Sequence, residues 1–273
     1  MGDMVDAIPI DDPADPRVAD YVGLTDPDIR RRVEAEGRFF IAESHLVLRR
    51  LLGTTHTVRS VLVIPRELAR LADALEGVDA PVYVADPAVM RAVAGFDLHR
   101  GALAAADRFA LPEAAEVLLN ATRVAVLERV NDHENLGVIF RNASALGIDA
   151  VLLCPECSDP LYRRSVRVSV GHVLTVPFAR LECWPDALDR LVDAGFAVAA
   201  LTPRADAESI AAFAPAPDDR VALLLGAEGV GLREEVMRRA DRRLRIPMAG
   251  DADSLNVATA SAIAFHLLGN ARG

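Results

Sequence analysis

The sequence predicts an α/β fold, a mostly parallel sheet with helices on both faces, preceded by a smaller α/β domain. Three observations carry this. From Phe39 onward, apolar runs of strand length alternate with stretches whose apolar residues recur at helical spacing, the pattern of parallel strands joined by helical crossovers. Apolar residues make up 52% of the 273, which supplies a core for one large or two ordinary domains. The alternation lapses once, in the 106–116 stretch that carries Pro112, and resumes at Thr122. The organisation that follows is an acidic N-terminal extension over 1–30, a first α/β domain over 31–108, a linker over 109–121 and a second α/β domain over 122–273.

In chain order, the extension is crowded with aspartates (Asp3, Asp6, Asp11, Asp12, Asp15, Asp20, Asp26 and Asp28), and with its prolines this predicts a loosely attached segment. The run Phe39-Phe40-Ile41-Ala42 reads as a strand, followed by a helix over 43–52. Strands at 58–64 and 82–84 and helices at 68–75 and 87–94 continue the alternation, and 101–105 closes this small sheet. In the second domain, strands are expected at 123–127, 150–153, 174–178, 196–201 and 221–225, and helices at 137–146, 185–194, 232–240 and 254–269. In the helix after the first of these strands, Ile139, Ala143 and Leu146 form one apolar stripe. Arg141 lies roughly 200° from Ile139, at ~100° per residue. Asn135 and Arg141 therefore follow the carboxyl end of a strand, where open α/β sheets place their ligands.

Bulk properties bound the function. No apolar run reaches the ~18 residues needed to span a bilayer, and the acidic, proline-bearing N-terminus is unlike a signal peptide. Cytoplasm is the expected location and no membrane partner is expected. Three cysteines argue against a disulfide framework. Cys154 and Cys157 have CxxC spacing, but they follow a strand instead of opening a helix, and only Cys183 and His172 stand near enough in sequence to complete a metal site. Buried structural thiols, and no metal, are expected. The net charge of −10 by itself disfavours a nucleic-acid partner. All 30 basic residues are arginines, and they cluster at 30–32, at 163, 164 and 167, and at 238, 239, 242, 243 and 245. Such clusters are either phosphate contacts, for which guanidinium geometry is suited, or solvated helix faces.

Two further segments carry chemistry. In Leu223-Leu224-Leu225-Gly226-Ala227-Glu228-Gly229-Val230-Gly231-Leu232 a buried strand runs into three glycines around a carboxylate. Glycines let backbone N–H groups approach a ligand closely, although the same pattern serves as a plain tight connection. It is neither a P-loop nor a dinucleotide fingerprint, because the Lys-Ser/Thr ending and the glycine spacing are absent. Ile246-Pro247-Met248 is followed by Ser254-Leu255-Asn256 at a helix start, where Ser254 is a candidate N-cap and Asn256 is a poor helix former.

Together, Asn135-x5-Arg141, the Leu-Gly-x-Glu-Gly-x-Gly-Leu turn and the Ile-Pro-Met…Ser-Leu-Asn ending resemble the SpoU (TrmH-like) branch of the SPOUT RNA methyltransferases. The resemblance covers about 122–268, with Asp159-Pro160-Leu161 and Ser169-Val170-Gly171 similar to the family's middle signature. The stretch around Arg38-Phe39-Phe40-Ile41-Ala42-Glu43 more loosely resembles the L30e-like substrate-binding domain that many members carry. The resemblance implies a trefoil-knotted catalytic domain, a homodimer, and transfer of a methyl group from S-adenosyl-methionine to a ribose 2′-hydroxyl of tRNA or rRNA, with rRNA favoured. It implies that Leu201, Thr202, Gly226, Ile246, Met248 and Leu255 hold the methyl donor. Asn135, Arg141, Glu228, Ser254 and Asn256 take the catalytic and substrate-orienting positions, and Arg38, Arg163 and Arg164 are candidate RNA contacts. Ala227, Val170 and His172 depart from the residues commoner in relatives. Glu228 either ties the glycine turn together or positions substrate, and Asn135 either holds its loop or touches RNA. The competing expectation is a noncatalytic RNA-binding or assembly factor that keeps the fold.

Overall fold

Two sheets, one of five strands and one of seven, organise the described residues. The first belongs to a unit formed by Met1–Ala110 with Leu161–Leu174, the second to a unit formed by Leu111–Pro160 with Thr175–Gly273. The structure, a computed structural model, describes residues 6–25, 36–98, 101–249 and 253–269.

In the first unit, β1 (Ala7–Ile10), β2 (Phe39–Glu43), β3 (Val58–Val63), β4 (Val82–Ala85) and β5 (Ala102–Asp107) stand in the order β1-β4-β3-β5-β2. β1, β4 and β3 run parallel, while β5 is antiparallel to both β3 and β2. The helices α1 (His45–Leu52), α2 (Pro65–Leu75) and α3 (Pro87–Ala94) follow β2, β3 and β4. α3 shows how the local sequence sets its ends. Asp86 accepts the Ala88 N–H, Pro87 occupies the first turn, and Gly95 stops the helix at φ 82°.

The extension over 1–30 is not loose where the structure describes it. β1 adds an edge strand to the sheet, and Val18 and Tyr21 of a 3-10 turn (Pro16–Tyr21) are fully buried. The Tyr21 hydroxyl donates to the Ser60 carbonyl at 2.8 Å and accepts the Ala105 N–H at 3.2 Å. The prolines and aspartates that suggested looseness serve other ends. Pro9 lies on an edge strand, where a missing N–H costs little, and Asp15 caps the 3-10 turn. Arg30, Arg31 and Arg32 lie outside the described residues.

The expected linker over 109–121 contains α4 (Ala114–Leu118), whose Leu118 is buried in the second unit. There follow β6 (Arg123–Glu128), α5 (His133–Ala145) and β7 (Ala150–Leu153). The chain then returns to the first unit. α6 (Arg163–Val168) packs on β2, so 161–174 does not belong with the second domain as its place in the sequence suggested. Arg163 to Glu43 is the polar part of that contact.

Back in the second unit come β8 (Phe178–Arg180), α7 (Ala187–Asp193), β9 (Ala197–Leu201), the two-residue β10 (Glu208–Ser209), β11 (Val221–Gly226), α8 (Glu234–Arg238), β12 (Arg242–Arg245) and α9 (Val257–Leu268). The sheet order is β10-β12-β9-β11-β6-β7-β8, parallel throughout. Val124, Val126, Leu152, Val198, Ala222 and Leu224 form the centre of its core. The strand expected at 174–178 starts later, because His172–Leu174 is a 3-10 turn and Pro177 immediately precedes β8. All the carboxyl ends of these strands point the same way, and the ends of β6, β9, β11 and β12 deliver Glu128, Leu201, Gly226 and Ile246 to one edge. Among the described residues no helix is long and apolar enough to cross a membrane.

Candidate active site

Asp132 starts α5 by accepting the N–H groups of Glu134 and Asn135, both at 2.8 Å, so Asn135 sits in the first helical turn and not in the preceding loop. Its side chain donates from Nδ2 to Glu228 Oε2 at 2.9 Å. Asn256 Nδ2 donates to Asn135 Oδ1 at 2.9 Å and to Glu228 Oε1 at 3.3 Å. The three residues thus form a closed triangle, drawn from α5, the glycine turn after β11 and the start of α9. Asn256 Oδ1 in turn accepts the N–H groups of Ala258 and Thr259, so Asn256 is the N-cap of α9 and the expectation that Ser254 caps it is corrected. The helix begins at Val257, which leaves Ser254 three residues outside it.

Beside the triangle is a cleft open to solvent. Leu201, Thr202, Gly226, Ile246, Met248 and Leu255 all line it, and Glu228 and Ser254 reach it as well. Gly226 is required by the chain itself. A Cβ there would fall 2.3 Å from both the Gly231 carbonyl carbon and the Leu232 nitrogen. The turn doubles back so tightly because Gly229 and Gly231 adopt φ of 82° and 66°, and the Gly231 N–H bonds to the Ala227 carbonyl at 2.9 Å. Apolar walls, a close main-chain approach and polar groups at one side suit an adenosyl ligand with a charged amino-acid end.

Arg141 is exposed on α5 and lines no part of this cavity, and its side chain makes no hydrogen bond or ion pair with any described residue. The structure therefore assembles ten of the eleven residues expected to catalyse or hold the donor, the triangle and the cavity lining, and leaves Arg141 apart. Of the expected RNA contacts, Arg38 is exposed at φ 52°, and Arg164 is exposed. Arg163 is not available. Its guanidinium pairs with the buried Glu43 at 2.5 Å, donates to the Leu24 carbonyl and lies 5.1 Å over the Phe96 ring. Several other clustered arginines are likewise ion-paired: Arg167 with Glu43, Arg239 with Asp186 and Asp189, Arg242 with Glu208 and Arg243 with Asp206.

Sequence reasoning missed Glu128. It is fully buried at the end of β6, in register with Gly226. Oε1 accepts the Trp184 indole N–H at 2.9 Å and Oε2 accepts the Arg233 main-chain N–H at 2.8 Å. The glycine turn is thus tied to the sheet from beneath. A carboxylate directly after the apolar run Val124–Leu127 was the available clue, because an acid at a buried strand end needs a committed partner. Cys154 and Cys157 are both buried, with sulfurs 3.7 Å apart, and the Cys157 thiol also donates to the Leu127 carbonyl. The neighbouring thiol holds Cys154 down at about 6, against desolvation, and burial with that same contact pushes Cys157 up. No group of three or more metal-ligating side chains is found among the described residues.

Comparison with known proteins identifies the family. The family model described as the SpoU rRNA Methylase family matches residues 122–266. An uncharacterized tRNA/rRNA methyltransferase of Mycobacterium tuberculosis is 48% identical over 265 residues, 97% of this chain and 92% of the relative. The 23S rRNA (guanosine-2′-O-)-methyltransferase RlmB of Ralstonia nicotianae is 31% identical over 230 residues, 80% of this chain and 90% of the relative. Among solved structures, an AdoMet-bound rRNA methyltransferase from Sinorhizobium meliloti superposes with a TM-score of 0.77 at 27% identity, covering 95% of this chain and 96% of that one. With a mixed α/β fold matching SPOUT methyltransferase structures, a family model matched over more than half its length and a triangle built from that family's signature segments, the chain belongs to the SpoU rRNA methylase family.

Proposed function

We propose that this protein transfers a methyl group from S-adenosyl-methionine to a ribose 2′-hydroxyl of RNA, and that ribosomal RNA is its substrate in preference to tRNA. The carrying observation is the Asn135–Glu228–Asn256 triangle, anchored on a carboxylate that also lines the largely apolar cleft at the glycine turn. The choice of ribosomal RNA is supported by relatives named as 23S rRNA 2′-O-methyltransferases. When bound, the donor supplies an electrophilic methyl carbon on a sulfonium. What remains for the chain is to hold the ribose and to stabilise charge developing on a weakly acidic hydroxyl.

Arg141 takes that second task. Its guanidinium keeps its proton at neutral pH, so it acts as an oxyanion and phosphate ligand, with the proton leaving through water or phosphate. Arg141 stands outside the cavity of its own chain, which supports a homodimer in which it serves the partner's site. Ile263 and Leu267 on α9 are exposed apolar residues suited to such a contact. Ser254 orients the ribose from the cavity edge, and Asn135 and Asn256 fix the carboxylate of Glu228. Arg38 and Arg164 contact RNA phosphates, with the first unit acting as an L30e-like substrate-binding domain. The C-terminal segment from β12 to α9 closes a trefoil knot, and an RNA substrate places the protein in the cytoplasm. A noncatalytic role is disfavoured, because a fold kept for RNA binding alone has no need of an assembled Asn135–Glu228–Asn256 triangle at the cavity.

Calorimetric titration with S-adenosyl-methionine, followed by transfer of labelled methyl to rRNA from cells lacking the gene, tests the reading. Saturable donor binding and 2′-O-methylated product are expected. The absence of donor binding overturns the function. Arg141→Lys is expected to lose ~10²–10³ in turnover with donor affinity unchanged, and turnover near that of the unsubstituted protein would remove Arg141 from the mechanism.

A further inference from the structure

One cationic side chain next to the triangle has no assigned role. Arg129 follows the buried Glu128 at the end of β6, and its backbone is left-handed, at φ 55°, a conformation that residues with a Cβ seldom adopt. The conformation is pinned, since the Arg129 N–H donates to Cys154 Sγ at 3.2 Å. It carries the side chain to the glycine turn, where Nη2 reaches the Gly231 carbonyl only at 3.5 Å. Nε is buried and has no hydrogen-bond partner. No carboxylate among the described residues neutralises this guanidinium. Glu128 is held by Trp184 and Arg233, Glu156 by Arg233, and Glu228 by the two asparagines. A buried donor without a partner and a single bond at the edge of hydrogen-bonding distance describe a fork waiting for an anion.

We infer that Arg129 binds substrate, taking a phosphodiester oxygen of the RNA strand beside the ribose to be methylated. This rests on the methyl-transfer reading above. Gly231, which the guanidinium approaches, lines the donor cavity, whereas Arg129 does not. That placement favours the strand that docks over the glycine turn against the carboxylate of the donor. A planar guanidinium offers two parallel N–H groups to a phosphate, which fixes the register of the strand and not only its affinity.

Arg129→Gly tests this without disturbing the turn, because glycine is at home at positive φ. Arg129→Lys keeps the charge and removes the fork. Binding of rRNA from gene-deleted cells is measured over a series of salt concentrations, alongside donor titration and thermal unfolding. For Arg129→Gly the expected outcome is RNA affinity lower by about tenfold or more. The slope of log affinity against log salt should fall by about 0.7–0.9, with donor affinity unchanged and an unfolding midpoint equal or higher. Arg129→Lys should restore the salt slope but not the full turnover. An unchanged salt slope in Arg129→Gly overturns the inference, as does a loss confined to donor affinity, which would assign the fork to the donor's carboxylate. If the unsubstituted protein itself binds no RNA, the parent reading fails and takes this one with it.

Discussion

Asn256 shows why some residues of the site were legible as letters but not as roles. The sequence marked it as an unexpected asparagine near a helix start, and the structure explains it by two opposite ends: Oδ1 caps α9 while Nδ2 closes the triangle. Only the true first residue of the helix separates that role from a Ser254 cap, and helix starts are the least determined part of a sequence reading. Arg129 was less visible still, since a positive φ and an unpartnered Nε leave no trace in composition. At the same scale, His56 supplies a pH dependence. Its ring stacks at 5.5 Å from Phe40 and 4.7 Å from Phe109, and burial lowers its pKa. A depressed imidazole favours protonation in the unfolded chain. Stability is therefore constant above the unfolded value of about 6.5 and is lost as pH falls below it. Denaturant midpoints between pH 8 and 5 should fall for the unsubstituted protein, and that part of the fall should vanish in His56→Phe. Equal pH profiles for the two proteins would show that His56 contributes nothing to it.

Among elements, the strands that the sequence exposed are those buried on both faces. β6, β7 and β11 each carry an uninterrupted apolar run and appear where expected. β12 was hidden because three of its four residues are arginines and only Leu244 is buried, yet it is paired on both sides. Its charges stay near the surface against Asp206, Glu208 and the Ala207 carbonyl. α6 was missed because six residues rich in arginine give no apolar period, and its place in the first unit depends on long-range pairing that no window of sequence contains. Between elements, Glu128 holds the glycine turn to β6. Glu128→Ala leaves the Trp184 indole and the Arg233 N–H without acceptors, at a cost of about 1–3 kcal/mol for each. Chemical denaturation should record that loss together with weaker donor binding. Full donor affinity in Glu128→Ala would mean that the turn keeps its shape without the tie.

For the whole molecule, arginine serves as an internal tie as well as a surface charge. Arg123 is the extreme case. It is 2% exposed, and it donates to the carbonyls of Leu268, Ala216 and Asp219, joining the end of α9 and the loop before β11 to the edge of β6. Net charge is therefore a poor guide to how the arginines are used. The same separation of composition from architecture governs the N-terminus, where acidity suggested a loose tail and the chain instead supplies an edge strand and the buried side chains Ile10, Val18, Tyr21 and Leu24. Tyr21 is the test. Removing a fully buried aromatic ring costs about 3–5 kcal/mol, and Tyr21→Ala also strips the Ala105 N–H of its acceptor. The first unit should unfold at lower denaturant, seen as early exposure of tyrosines, because its core is built around Tyr21, Phe39, Ile41, Leu62 and Leu103. The cavity proposed for the donor is lined wholly by residues of the second unit. Tyr21→Ala should therefore bind S-adenosyl-methionine normally under native conditions while losing affinity for rRNA. A variant with unchanged denaturation would return the extension to the status of a loose tail. A variant that lost donor binding in step with the first unit would show that the two units fold as one.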